Sequence, residues 1–194
     1  MVTTRNSRAD VVAAAGRLFA ERGYHGTSMR DLGRELGLLG SSLYAHVESK
    51  QDLLVEVVEE GARLFEASAA SALAGDGSAT ERLRALMAGH VEVVLDNLDI
   101  ARTFLNEARA LDTPRRARVI EARDHYEAGF RSVLQEGIEA GLFRTDLDPK
   151  TCSIFVLSIL NAIERWYHPT GEMGRDDLVE RVTGFVLFGV IASR

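Results

Sequence analysis

Cysteine occurs once in this 194-residue chain, at Cys152, which rules out an internal disulfide and makes the thiol read as a small residue within a helical stripe. Proline occurs only 3 times, too seldom to interrupt many helices. No 18-residue apolar run and no basic-then-apolar leader is present, so neither a membrane span nor an export signal is expected, and a cytoplasmic location is. No segment alternates apolar and polar residues with the period of a strand, which leaves an all-helical fold. An excess of positive charge is missing as well: 23 Lys and Arg face 29 Asp and Glu, for a net charge of −6, which excludes a generic polyanion binder. There is no His-to-His metal spacing, no glycine-rich phosphate loop and no Gly-x-Ser-x-Gly elbow. An enzyme drawing its acid, base or nucleophile from His90, His125, His168 or Cys152 therefore has little support, and neither a metal nor a cofactor is called for. The length admits either one substantial core or a small domain joined to a larger one.

What is present is unevenly placed. Residues 1 to 50 carry 7 basic and 5 acidic side chains, and the remainder carries 16 basic and 24 acidic, so only the N-terminal part is a plausible partner for phosphate. That part contains two short helical patterns around a glycine. Thr27 or Ser28 is placed to cap the first, and Met29, Leu32 and Leu36 share one of its faces. Gly37 ends it with a conformation suited to a sharp reversal, and Leu38 plugs the gap to a second helix over about residues 40–47. Leu43 and Val47 face inward there, while Ser41, Ser42, Tyr44, Ala45 and His46 project outward. The arrangement reads as a helix-turn-helix whose outer face enters a major groove. Before it, a scaffold helix is predicted from Ser7 to Arg22, followed by a Tyr24-His25-Gly26 loop. Residues 1–6 read as a polar arm ahead of it, from which Arg5, with Arg8, could reach a DNA backbone or minor groove; a frayed terminus is the alternative.

Beyond Ser49 the apolar spacing predicts helices over residues 50–70, 80–95, 100–110, 114–140, 149–167 and 176–191, for a total of about nine in an all-α chain. Thr80 is read as the cap of the second of these, without a full capping box, since no acid stands three residues after it. The last two helices are apolar around much of their circumference. Either they are central to the fold or they cover each other across a two-fold axis, with Phe155, Ile159, Val182, Phe185 and Gly189 as candidate dimer contacts. A functional boundary is expected near Lys50, with residues 1–50 for DNA and residues 51–194 for dimerisation and, as the family resemblance described next implies, effector binding.

Residues 11 to 54 resemble the TetR family of bacterial transcriptional repressors. The likeness rests on Ala20-Glu21-Arg22-Gly23-Tyr24, Thr27-Ser28-Met29-Arg30-Asp31-Leu32, Gly37-Leu38, Leu43-Tyr44, His46-Val47 and Ser49-Lys50. It implies a dimeric, non-enzymatic repressor on a palindromic double-stranded DNA operator, in which Thr27 meets a phosphate, Tyr44 and His46 contact backbone and Lys50 clamps a phosphate. With Ser28, Arg30, Leu39, Gly40, Ser41 and Ser42 these make the candidate DNA-contacting set. Because no Lys or Arg lies between Leu39 and Val47, bidentate arginine reading of guanine is unavailable from this helix. Thymine methyls against Leu39 or Ala45, hydroxyl contacts from Ser41 and Ser42, and DNA shape remain.

The stretches Val133 to Arg144 and Arg165-Trp166-Tyr167, with Pro169 and Gly171, resemble the subgroup that controls steroid and fatty-acid breakdown and senses acyl-CoA thioesters. Polar groups inside helical stripes are then candidates for the effector site: Asn106, Arg109, Arg123, Tyr126, Asn161, Arg165 and Trp166, with Arg115, Arg116 and Arg118 as candidate partners for CoA phosphates. A neutral lipophilic effector is the alternative, and an architectural DNA-binding dimer without an effector is a third class.

Overall fold

The structure is a computed structural model, and it describes residues 7–38, 43–44, 47–168 and 170–191. Among the described residues the chain forms eight α-helices and one 3-10 turn: α1 (Arg8–Gly26), α2 (Met29–Glu35), α3 (Lys50–Leu73), α4 (Ala79–Asp96), α5 (Leu98–Asn106), the 3-10 turn (Ala108–Ala110), α6 (Thr113–Glu139), α7 (Pro149–Trp166) and α8 (Arg175–Val190). The all-helical expectation holds. The additional helix expected over residues 40–47 falls largely outside the described residues.

Helix starts are written in local side-chain chemistry. Ser7 and Asp10 form a capping box, with Asp10 N–H donating to Ser7 Oγ at 3.2 Å and Ser7 N–H to Asp10 Oδ2 at 2.7 Å. Ser28 and Asp31 repeat the device at α2, which selects Ser28 over Thr27 as the cap. At α4 the cap is Ser78 rather than Thr80, because Ser78 N–H donates to Glu81 Oε2 at 2.8 Å and Glu81 N–H to Ser78 Oγ at 3.4 Å. The acid that completes the box stands three residues after Ser78, and Thr80 has no such partner. At α7, Asp148 accepts from Thr151 N–H at 2.7 Å and Pro149 occupies the first turn, where a missing N–H costs nothing.

Two helix ends require glycine. Gly37 has φ 64° and Gly141 has φ 69°, and each closes a Schellman turn in which the next residue reaches back five positions: Leu38 N–H to Gly33 O at 2.8 Å and Leu142 N–H to Gly137 O at 2.9 Å. The helix expected over residues 100–110 instead breaks at Glu107, whose carboxylate accepts the Tyr24 N–H at 3.1 Å beside the kink at Gly23 (φ 74°, ψ 162°) in α1.

Packing divides the chain into two compact units that follow neither chain order nor the functional boundary expected near Lys50: residues 1–63 with 97–120, and residues 64–96 with 121–194. In the first, Val11, Ala14, Leu18, Phe19, Leu32, Leu43, Leu53, Val57 and Phe104 are buried. Gly61 gives Phe104 its place, since a Cβ on Gly61 would stand 2.6 Å from that side chain. In the second, the core holds Phe65, Leu83, Met87, Val94, Phe130, Leu134, Leu160, Ile163 and Val186. Phe143 is fully buried there against Gly137, where a Cβ would come within 2.2 Å of the ring, and it pairs as a single antiparallel bridge with Ile191.

Candidate nucleic-acid interface and effector region

The first unit holds α1, α2 and the start of α3. Leu43 and Val47 are buried as their spacing predicts, and Tyr44 is exposed. Ser28 and Arg30 are exposed too, although the Ser28 hydroxyl is engaged in its cap. Leu39, Gly40, Ser41, Ser42, Ala45 and His46 lie outside the described residues.

Two of the expected phosphate contacts are turned inward. Thr27 is only 2% exposed, and its hydroxyl is within hydrogen-bond distance of two carbonyls of the scaffold helix, Leu18 O at 3.1 Å and Gly23 O at 3.0 Å. Lys50 donates from Nζ to Tyr24 O and Thr27 O, both at 2.8 Å, with the ammonium 4.0 Å from the centre of the Tyr24 ring. A cation at the carbonyl end of a helix is favourable, so the side chain locks the end of α1 to the start of α3. Nothing in the periodicity distinguishes a lysine that caps a neighbouring helix from one that faces solvent. Tyr24 packs on Phe19 with ring centroids 5.6 Å apart, as a residue beneath the helices. Arg8 is bound by Glu56 through Nε at 2.9 Å and Nη2 at 2.6 Å, and Arg115 by Asp52 at 2.9 Å and Asp112 at 3.2 Å, so neither guanidinium is a bare phosphate ligand. Arg116 and Arg118 are exposed.

Of the expected effector residues, Asn106 and Arg109 belong to the first unit. Asn106 donates to Arg102 O one turn back at 3.0 Å, and Arg109 is exposed in the 3-10 turn. The other five belong to the second. Arg123 is half-buried, and burial lowers its pKa; Asn161 is half-buried; Arg165 is exposed beside Glu164; Trp166 is exposed. Tyr126 lies with its Oη 3.0 Å from Nδ1 of His90, inside a cluster of rings with Phe65 and Phe130. His90 is absent from the expected set, because at the spacing of Leu83, Leu86, Met87, Val91 and Val94 it reads as one more member of an apolar stripe. Cys152 is half-buried, and burial raises its thiol pKa.

The candidate dimer residues separate into two groups. Phe155 is 63% and Phe185 70% exposed, Gly189 is exposed and Ile159 half-buried. Val182 is 9% exposed and belongs to the core, so it is not a surface contact of this unit. Ile154 and Phe188, the latter 91% exposed, extend the apolar surface of the same two helices. Among the described residues there is no cluster suited to a metal ion, and no helix is long and apolar enough to cross a membrane.

Residues 11–57 match the model of the bacterial regulatory proteins of the tetR family, and residues 76–190 match the tetracyclin repressor-like C-terminal domain. The chain belongs to the TetR family. As a TetR-family protein it is a DNA-binding transcriptional regulator of a non-enzymatic family, and the helix-turn-helix is its DNA-binding element. It is similar to the HTH-type transcriptional repressor KstR2 of Mycobacterium tuberculosis strain H37Rv, with 28% identity over 184 residues covering 94% of this chain and 92% of the relative. The solved structure of the ketosteroid transcriptional regulator KstR2 of M. tuberculosis superposes with a TM-score of 0.91 at 27% identity, covering all of this chain and 98% of that one. PfmR, a TetR family regulator from Thermus thermophilus, is 31% identical with a TM-score of 0.85, covering 95% and 99%. AibR, solved in complex with isovaleryl coenzyme A and operator DNA, is 25% identical with a TM-score of 0.84, covering 92% and 96%.

Proposed function

We infer that this TetR-family protein is a cytoplasmic repressor that binds a palindromic operator as a homodimer and is released by an acyl-CoA thioester. The observation that carries the effector class is the likeness, over nearly the whole chain, to AibR in its complex with isovaleryl coenzyme A and operator DNA. The likeness to the repressor KstR2 supports the repressing role. Dimerisation is supported by Ile154, Phe155, Phe185 and Phe188, large apolar side chains left exposed on α7 and α8, which a second copy would remove from water. DNA contact is assigned to Ser28, Arg30, Leu39, Gly40, Ser41, Ser42, Tyr44 and His46, with Thr27 and Lys50 holding that element in place rather than binding phosphate. The effector residues are Arg123, Tyr126, Asn161, Arg165 and Trp166 of the second unit. An effector favouring a state of lower operator affinity shifts the population away from DNA.

The experiment is footprinting of purified protein on the DNA upstream of its own gene, repeated with a panel of acyl-CoAs bearing short branched, medium straight and cyclic acyl chains, and with free CoA and the free acids. The expected result is a symmetric footprint that a thioester removes and its free acid does not. A footprint insensitive to every thioester but removed by an uncharged lipophile would transfer the reading to a neutral effector.

A further inference from the structure

His90 is 1% exposed, and its Nε2 is sealed from solvent with no hydrogen-bond partner. An orphaned polar atom of this kind is uncommon in a packed interior and calls for an explanation. Rings lie close to it in the second unit: Phe65 at 4.7 Å and Tyr126 at 5.9 Å between centroids, with Phe130 tilted against Tyr126 at 5.5 Å. The ring's other nitrogen, Nδ1, lies 3.0 Å from the Tyr126 Oη. Acid–base matching sets the direction of that bond. A phenol is the better donor and a neutral imidazole nitrogen the better acceptor, and the reverse assignment would leave both the phenol hydrogen and the Nε2 lone pair orphaned. The Tyr126 O–H therefore donates to Nδ1, and the imidazole proton stays on Nε2.

We propose that the His90 Nε2–H, fixed in that tautomer by Tyr126, is the donor that reads the carbonyl oxygen of an uncharged acyl group in the effector. This rests on the thioester reading above and gives it a specific recognition residue. Nε2 has no water-accessible surface in this conformation, so the side chains that cover it must part for an acyl group to enter. The closed conformation carries an unsatisfied donor and the bound one satisfies it, so the hydrogen bond is a differential interaction that favours the effector-bound conformation. An anion is a poor occupant. Burial holds the His90 pKa at about 3, so the ring stays neutral and cannot offset a carboxylate among phenyl groups. Arg123, one turn before Tyr126 on α6, is half-buried and places a cation on the same element for the charged part of such a ligand.

The test uses the full-length protein, the tightest-binding acyl-CoA of the panel, and its thioether analogue with a methylene in place of the carbonyl. A hydrogen bond from a buried neutral donor corresponds to about a tenfold to hundredfold preference for the thioester. His90→Leu is expected to abolish that preference, and His90→Gln, which keeps an N–H donor, to recover part of it. A folded His90→Leu protein that retains the full preference overturns the role of His90 and leaves the thioester reading standing. Failure of the wild type to bind any acyl-CoA removes both. Should His90→Leu not fold, the ring 15N–1H spectrum of the wild type decides. An Nε2–H proton moving downfield with the thioester but not with the thioether supports the assignment. An Nδ1–H tautomer, or an unmoved resonance, refutes it.

Discussion

Replacing Lys50 distinguishes a structural lysine from a phosphate clamp, because the two roles move different observables. In the structure its ammonium donates to Tyr24 O and Thr27 O at 2.8 Å each and sits 4.0 Å from the Tyr24 ring centre. Hydrogen bonds from a charged donor are worth about 1.5–3 kcal/mol net, and the site is half-buried, so water recovers part of the loss once the side chain is cut back. The low end of that range is appropriate, and Lys50→Ala should cost about 2 kcal/mol. For a chain of this size this is a fall in Tm of about 4–8 °C. Lys50→Met, which keeps the aliphatic stem but not the charge, should lose most of the same stability. Both variants should be compared with the wild type by thermal unfolding at one protomer concentration. Operator binding should then be measured by anisotropy over a series of salt concentrations at a temperature where all three are folded. A lysine that binds no phosphate leaves the slope of log K against log salt unchanged, while affinity falls uniformly. If Lys50 clamps a phosphate in each subunit, the slope should shrink by about two units for a dimer at little change in Tm. That outcome would refute the inward assignment.

Phe185→Glu and Phe188→Glu should give folded monomers by sedimentation, whereas Val182→Glu should lower thermal stability by about 3 kcal/mol or more, because it places a carboxylate in the core; a folded dimer in both phenylalanine variants would move the interface elsewhere. Gly137→Ala forces a Cβ to within 2.2 Å of the Phe143 ring and should destabilise by about 1–3 kcal/mol, with rescue by Phe143→Leu, as measured by urea unfolding. His90 is buried neutral with its pKa lowered from 6.5 to about 3, so the unfolded chain binds the extra proton and stability falls as pH drops below about 6.5. The slope should approach about 1.4 kcal/mol per pH unit between about pH 6 and pH 5, above the range where Asp31 and Glu81 with their lowered pKa values contribute, and His90→Gln should flatten it.

The helices, several of their ends and the family are legible in the sequence because each depends on neighbours a few positions away. The 3.6-residue apolar spacing, the Ser28–Asp31 box and the glycines at 37 and 141 act through backbone groups three to five residues distant, which spacing alone reveals. The side-chain assignments depend on groups brought close only by folding. Thr27 turns inward because the carbonyl of Leu18 is there to meet it, and Lys50 because the scaffold helix ends beneath it, 23 to 26 positions away in the chain. Helix α5 stops at Asn106 where Glu107 is taken by the Tyr24 N–H, 83 positions distant. Val182 and Phe185 belong to one helix, and the pattern cannot say which is core and which is surface, since both are large apolar residues in its strongly apolar C-terminal half. His90 shows the same limit: its position in an apolar stripe follows from sequence, while its pairing with Tyr126 and the orphaned nitrogen exist only once α4 and α6 are packed together.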